Sequence, residues 1–161
     1  MKRVSDFIER IEIICSTIMM AAITCILFTS VLFRYFLNAP LYWANEASIF
    51  MMAWITFLGG SLGLKYHSQA AISFIIDRFN EWNQIKMKIA TYIVILIALA
   101  VFIYISYDWI FSLTDTKSSS MRIPMWIPYS SVPIGLTFAF IHLLGHFIDY
   151  IKQWRRGRGS V

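Results

Sequence analysis

Charge is what this chain has least of. Of its 161 residues only 14% are Asp, Glu, Lys or Arg and 58% are hydrophobic, where a soluble domain carries about 25% charged residues. Cysteine is nearly absent too. Cys15 and Cys25 are the two present, and ten residues of helix would hold them about 15 Å apart, beyond the reach of a disulfide. A disulfide scaffold and a C-x-x-C metal or redox site are therefore excluded, and both cysteines read as small packing residues. There are four prolines, Pro40, Pro124, Pro128 and Pro133, which leaves long stretches free of helix breakers. No P-loop, dinucleotide fingerprint, H-E-x-x-H or G-x-S-x-G occurs, so the expectation is that the chain is not an enzyme and uses no cofactor.

The chain is rich in long uncharged runs. Ile13–Phe33, Ala47–Leu64, Ile89–Tyr107 and Ile123–Ile148 contain no acidic or basic residue. Each approaches or exceeds the roughly 20 apolar residues that cross a bilayer as a helix. The expected fold is an all-α integral membrane protein, one four-helix domain over 1–161. Its spans are placed at about 13–33, 41–64, 89–109 and 127–150.

The net charge of +5 does not imply nucleic acid, because the basic residues are sorted by side. With four spans, the N-terminal stretch, the second connection and the tail share one side. They hold Lys2, Arg3, Arg10, Lys65, Arg78, Lys86, Lys88, Lys152, Arg155, Arg156 and Arg158, whereas the other side holds Arg34, Lys117 and Arg122. Eleven against three places both termini in the cytoplasm, with membrane lipids as the partners of the basic groups. Asp6, Glu9 and Glu12 are foreign to a signal-peptide n-region, and the run after them is too long for an h-region, so the first span is expected to be retained.

Between the spans, Val4, Phe7, Ile8 and Ile11 recur at helical spacing as an amphipathic lead-in. Asn38-Ala39-Pro40 marks a turn opening the second span. Ile72, Ile75, Ile76, Phe79 and Trp82 share one helical face, which predicts an interfacial helix over about 70–86. Thr114–Ser120 reads as an external loop. The prolines of Ile123–Pro128 predict a broken entry into the last span, with regular helix from near Pro133. Trp43, Trp109 and Trp126 fall at the predicted outer ends, and Trp82 and Trp154 at the inner interface, like an aromatic belt. Trp54 lies inside a span.

The middle of each of the first three spans lacks an ionisable residue, which suits a supporting subunit better than a self-sufficient pump. Glu46 is the notable carboxylate. It reads either as a functional group within an apolar segment or as a structural group near a helix N-terminus, paired with Arg34 or Arg122 from the same side. His142, His146 and Asp149 share a helix face, which suits a metal or haem ligand set or hydrogen bonds to neighbouring helices. Gly59 and Gly63 form a G-x-x-x-G pair that would let another helix approach closely, within the chain or from a partner.

These residues carry a resemblance. Arg34-Tyr-Phe-Leu-Asn38-Ala-Pro-Leu-Tyr-Trp43-Ala-Asn-Glu46, then Trp54-Ile-Thr-Phe-Leu-Gly59 and His67, resembles the small membrane (Q) subunit of tripartite ATP-independent periplasmic (TRAP) transporters. Ile123-Pro-Met-Trp126-Ile-Pro-Tyr-Ser-Ser-Val-Pro133-Ile-Gly135 is similar to that family's Ile-Pro-x-Trp…Pro-x-Gly segment. The chain departs from the family pattern at Ala47-Ser48 and at Ser68–Ala71. The resemblance implies a scaffold subunit beside a large elevator-type membrane subunit that carries the sodium and substrate sites. A periplasmic binding protein would deliver an organic acid, and the setting would be a bacterial inner membrane. Arg34, Asn38, Trp43, Glu46, Trp54, Gly59, Gly63, His67, Trp126 and Pro133 then become structural or partner-interface residues. The competing readings are a haem-bearing electron-transfer subunit and a small autonomous exporter.

Overall fold

The structure is a computed structural model. It describes residues 2–76 and 81–158, with side chains described over 3–66 and 87–152. Five helices follow one another: α1 (Lys2–Phe36), α2 (Tyr42–Ile76), α3 (Glu81–Ser112), the single turn α4 (Trp126–Tyr129) and α5 (Ser131–Arg158). Four segments are long and apolar enough to cross a membrane: Arg3–Phe36, Tyr42–Tyr66, Met87–Ser112 and Trp126–Lys152. The protein is an all-α, multi-pass membrane protein with no β-strand among the described residues.

The lead-in is not a separate element, because α1 runs unbroken from Lys2 to Phe36. Its polarity is inverted relative to a water-soluble helix. Ser5, Ile8 and Glu12, one helical face, are buried, while Val4, Phe7 and Ile11 point outward. Lipid accepts apolar side chains, and hydrogen-bond partners exist only on neighbouring helices, so the polar face turns inward. Hydroxyls elsewhere are satisfied within their own helix. Thr17, Thr24, Thr56 and Ser106 each donate to the carbonyl four residues earlier, at 2.6–2.9 Å, which lets them face an apolar medium.

Asn38 ends α1. It adopts a left-handed φ of 48°, a conformation Asn tolerates better than most residues, and the Ala39 N–H returns to the Phe33 carbonyl at 3.2 Å. At the other end of α2 lies the segment expected as an interfacial helix. Residues 70–76 are the end of α2 and residues 81–86 the start of α3. Residues 77–80 and the side chains of Ile72, Ile75, Ile76, Phe79 and Trp82 lie outside the described residues. The broken entry is as the prolines predict, although regular helix resumes at Ser131. Pro133 falls in the first turn of α5, where a missing N–H breaks no intrahelical bond.

Packing makes α2 and α5 the central pair. α1 flanks α2 and α3 flanks α5, and α1 and α3 do not meet among the described residues. The apolar window of α5 is 39% buried and that of α1 only 6%, so α1 presents most of its surface outward. The two central helices touch at Gly135. A Cβ there would stand 2.7 Å from Phe57 Cβ and 2.9 Å from the Phe57 carbonyl oxygen, so only glycine allows this approach. Tyr92, Leu99 and Leu143 form the core between α3 and α5, with Ile95, Leu96, Leu136, Phe140 and Phe147 against it.

Candidate functional site: two polar clamps and an open helix face

The polar residues gather at the two ends of the bundle. At the end where α3 gives way to α4, the chain forms a short hairpin. Lys117 pairs with Pro124, Ser118 N–H donates to the Ile123 carbonyl at 2.9 Å and Met125 N–H to the Thr116 carbonyl at 2.8 Å. Arg122 turns the tip with a φ of 54°. The tip's backbone N–H groups then converge on Glu46, in the second turn of α2. Ser119 N–H donates to Oε1 at 3.2 Å, and Ser120 and Met121 N–H donate to Oε2 at 2.9 Å each. The expected partners Arg34 and Arg122 do not pair with Glu46 among the described residues. A carboxylate accepts several bonds at once and a hairpin tip supplies several donors pointing one way, so the loop replaces the cation.

The other clamp joins α1, α2 and α5. Lys65 Nζ on α2 donates to Glu9 Oε2 at 2.8 Å, Asp6 Oδ1 at 3.0 Å and the Ser5 carbonyl at 3.2 Å. Tyr66 donates to the other oxygen of Glu9. Behind this lies a fully buried group. His142 of α5 bonds through Nε2 to Glu12 Oε2 at 3.0 Å and through Nδ1 to Ser5 Oγ at 2.6 Å, and both the Glu12 and His142 side chains have no exposed surface. One turn on, His146 Nε2 donates to the Lys65 carbonyl at 2.9 Å.

The histidine face therefore does what its hydrogen-bonding reading expects. Both ring nitrogens of His142 and one of His146 are engaged, and no group of three metal-ligating side chains occurs among the described residues. The acidic residues that complete this clamp, Glu9 and Glu12, stand out in the sequence only as charges interrupting the start of α1, and Lys65 only as a topological charge.

Gly59 and Gly63 lie elsewhere. A Cβ at Gly59, Gly60 or Gly63 would meet nothing within 4 Å among the described residues, so the pair brings no described helix close, whereas Gly135 does. Leu58 and Ser61 are buried while Ile49, Met52, Thr56, Gly59 and Gly60 are exposed. This leaves α2 one packed face and one open face. Trp43 and Trp126 are 44% and 43% exposed at the end that holds the Glu46 clamp, and the Trp109 ring packs tilted against Tyr129 there, with centroids 5.1 Å apart. Trp54 is half-buried and Pro133 fully buried. His67 lies in α2, and its side chain is outside the described residues.

The sequence profile described as "Tripartite ATP-independent periplasmic transporters, DctQ component" matches residues 23–153. The chain is 25% identical over 177 residues to the C4-dicarboxylate TRAP transporter small permease protein DctQ of Vibrio cholerae, covering 91% of this chain and 75% of that protein. It is 24% identical to a putative TRAP transporter small permease protein of Haemophilus influenzae, covering 94% of this chain and 88% of that one. Identity to the sialic acid TRAP transporter small permease protein SiaQ of Vibrio cholerae is also 24%, with the same two coverages. With four membrane-length helices and a profile match over most of its length, the chain belongs to the DctQ family, the small (Q) membrane subunits of tripartite ATP-independent periplasmic transporters.

Proposed function

We propose that this subunit is the static scaffold of a sodium-coupled uptake system for an organic acid in a bacterial inner membrane, with both termini cytoplasmic. Its partners in this reading are a large elevator-type membrane subunit and a periplasmic binding protein. The observation that supports it most is the use of the buried ionisable groups. Among the described residues the buried acidic and basic side chains are Glu12 and His142, and they are bonded to each other across α1 and α5. An intramembrane ionisable group in an ion pathway must be free to change partners, whereas this pair bridges two helices. The open face of α2 around Gly59 and Gly63 suits close packing against a helix of the large subunit. A haem reading is weaker, because both ring nitrogens of His142 are bonded and His146 Nε2 is held by the Lys65 carbonyl.

Reconstitution tests the proposal. Liposomes holding this chain alone should show no uptake, and adding the large subunit and the binding protein should produce sodium-dependent uptake of the organic acid. Flux through the lone chain would overturn the scaffold assignment.

A further inference from the structure

Where α1 leaves the membrane, a pocket of about 300 Å³ opens between the last turns of α1 and the first turns of α2. Its polar lining is Arg34, Ser30, Tyr42 and Asn45, with no acidic residue, and Leu27 and Val31 continue its wall along α1. Arg34 has no ion-pair partner among the described residues, because the nearest carboxylate in sequence, Glu46, is taken by the backbone of the hairpin tip. The pocket is thus a cluster of donors around an uncompensated cation. Its level is set by Trp43, at the aromatic end of the bundle. Leu27 and Val31 lie seven and three residues before Arg34, on the same helix face and about 10 and 5 Å deeper.

From this geometry we infer that the pocket binds the phosphodiester of one phospholipid. The guanidinium takes the phosphate oxygens, Asn45 and Ser30 add donors, and an acyl chain descends past Val31 and Leu27. The recognised chemistry is a phosphate group. Arginine suits it because its planar fork donates to two oxygens together. The volume lies at the bottom of the roughly 300–1,000 Å³ range of ligand pockets, so it takes a headgroup and leaves the chains outside, along the apolar wall.

The test is native mass spectrometry of the purified full-length chain in neutral detergent, titrated with dioleoyl phosphatidylglycerol. Dioleoylglycerol serves as the phosphate-free control and inorganic phosphate as the lipid-free one. One phosphatidylglycerol should be retained per chain in preference to dioleoylglycerol, and Arg34→Gln should weaken that retention about tenfold. Lys152→Gln, a basic residue in the opposite half of the molecule, should leave it unchanged. Asn45→Leu, which keeps the guanidinium, should weaken it as well, so the result does not rest on one variant's folding. Equal retention of dioleoylglycerol, unchanged retention in Arg34→Gln, or displacement of the lipid by millimolar inorganic phosphate would each overturn the inference. The last of these would identify a small-anion site instead.

Discussion

A carboxyl group and an imidazole with no exposed surface are costly to bury, and the bond between Glu12 and His142 offsets part of that cost. Glu12 Oε1 finds no partner of its own, so the bond through Oε2 is all that holds this carboxyl. His142→Leu should therefore destabilise the protein by about 1–3 kcal/mol, the usual cost of leaving a buried polar group without its hydrogen-bond partner. Glu12→Leu with His142→Leu should cost markedly less than the sum of the two single changes. Thermal unfolding in detergent across the four proteins measures the coupling, and additive losses would show that the bond contributes nothing. Glu46 illustrates the same physics with another solution. Its backbone donors are the N–H groups of residues 119–121, with the Ser118 hydroxyl beside them, so its hold depends on the shape of residues 118–122.

Among the elements, α2 has two faces with different tasks, and its glycines can be separated by which face they occupy. Gly135→Ala drives a methyl into Phe57 and should lower stability by about 1–3 kcal/mol through overpacking of the α2–α5 crossing. Gly59→Ala meets no atom among the described residues and should leave the melting temperature unchanged or raise it, since alanine is the better helix former by about 1 kcal/mol. Gly59→Leu should reduce copurification with the large subunit if the open face of α2 is where that partner packs. Loss of stability in the isolated Gly59→Ala chain, together with no loss in Gly135→Ala, would reverse this assignment of faces.

For the whole molecule, four spans put the two termini on one side and the Glu46 clamp on the other. In the proposed topology the eleven-to-three division of basic residues sets the termini in the cytoplasm. In a variant lacking Cys15 and Cys25, a cysteine at Asp115 should react with an impermeant maleimide in intact cells. One at Lys152 should react only after the membrane is opened. The opposite pattern would invert the topology. The two clamps sit at opposite ends of a bundle whose middle is held by apolar contacts and one glycine crossing. The bundle is thus pinned by polar contacts at both ends, which suits the proposed scaffold role.

Much of this was determined by composition and order alone. Runs of about 20 uncharged residues can be nothing but spans, because lipid supplies no partner for an open backbone. Asn38-Ala39-Pro40 and the prolines of 124–133 mark their breaks through dihedral restrictions that act locally. The family likewise was legible in the ordered set from Arg34 to Gly135. The pairings were not. Arg34 and Arg122 looked like counter-ions for Glu46 by sign and side, yet the tertiary fold brought a hairpin tip instead, since several converging N–H groups stabilise a carboxylate without a cation. Gly59 and Gly63 announced that a helix could approach, but which neighbour faces which glycine depends on how α2 and α5 cross, and that crossing chose Gly135. Glu12 and His142 are 130 residues apart, and no local pattern ties them. Only the rotation of α1 about its axis, set by the preference of its apolar side for lipid, turned Glu12 inward to meet His142.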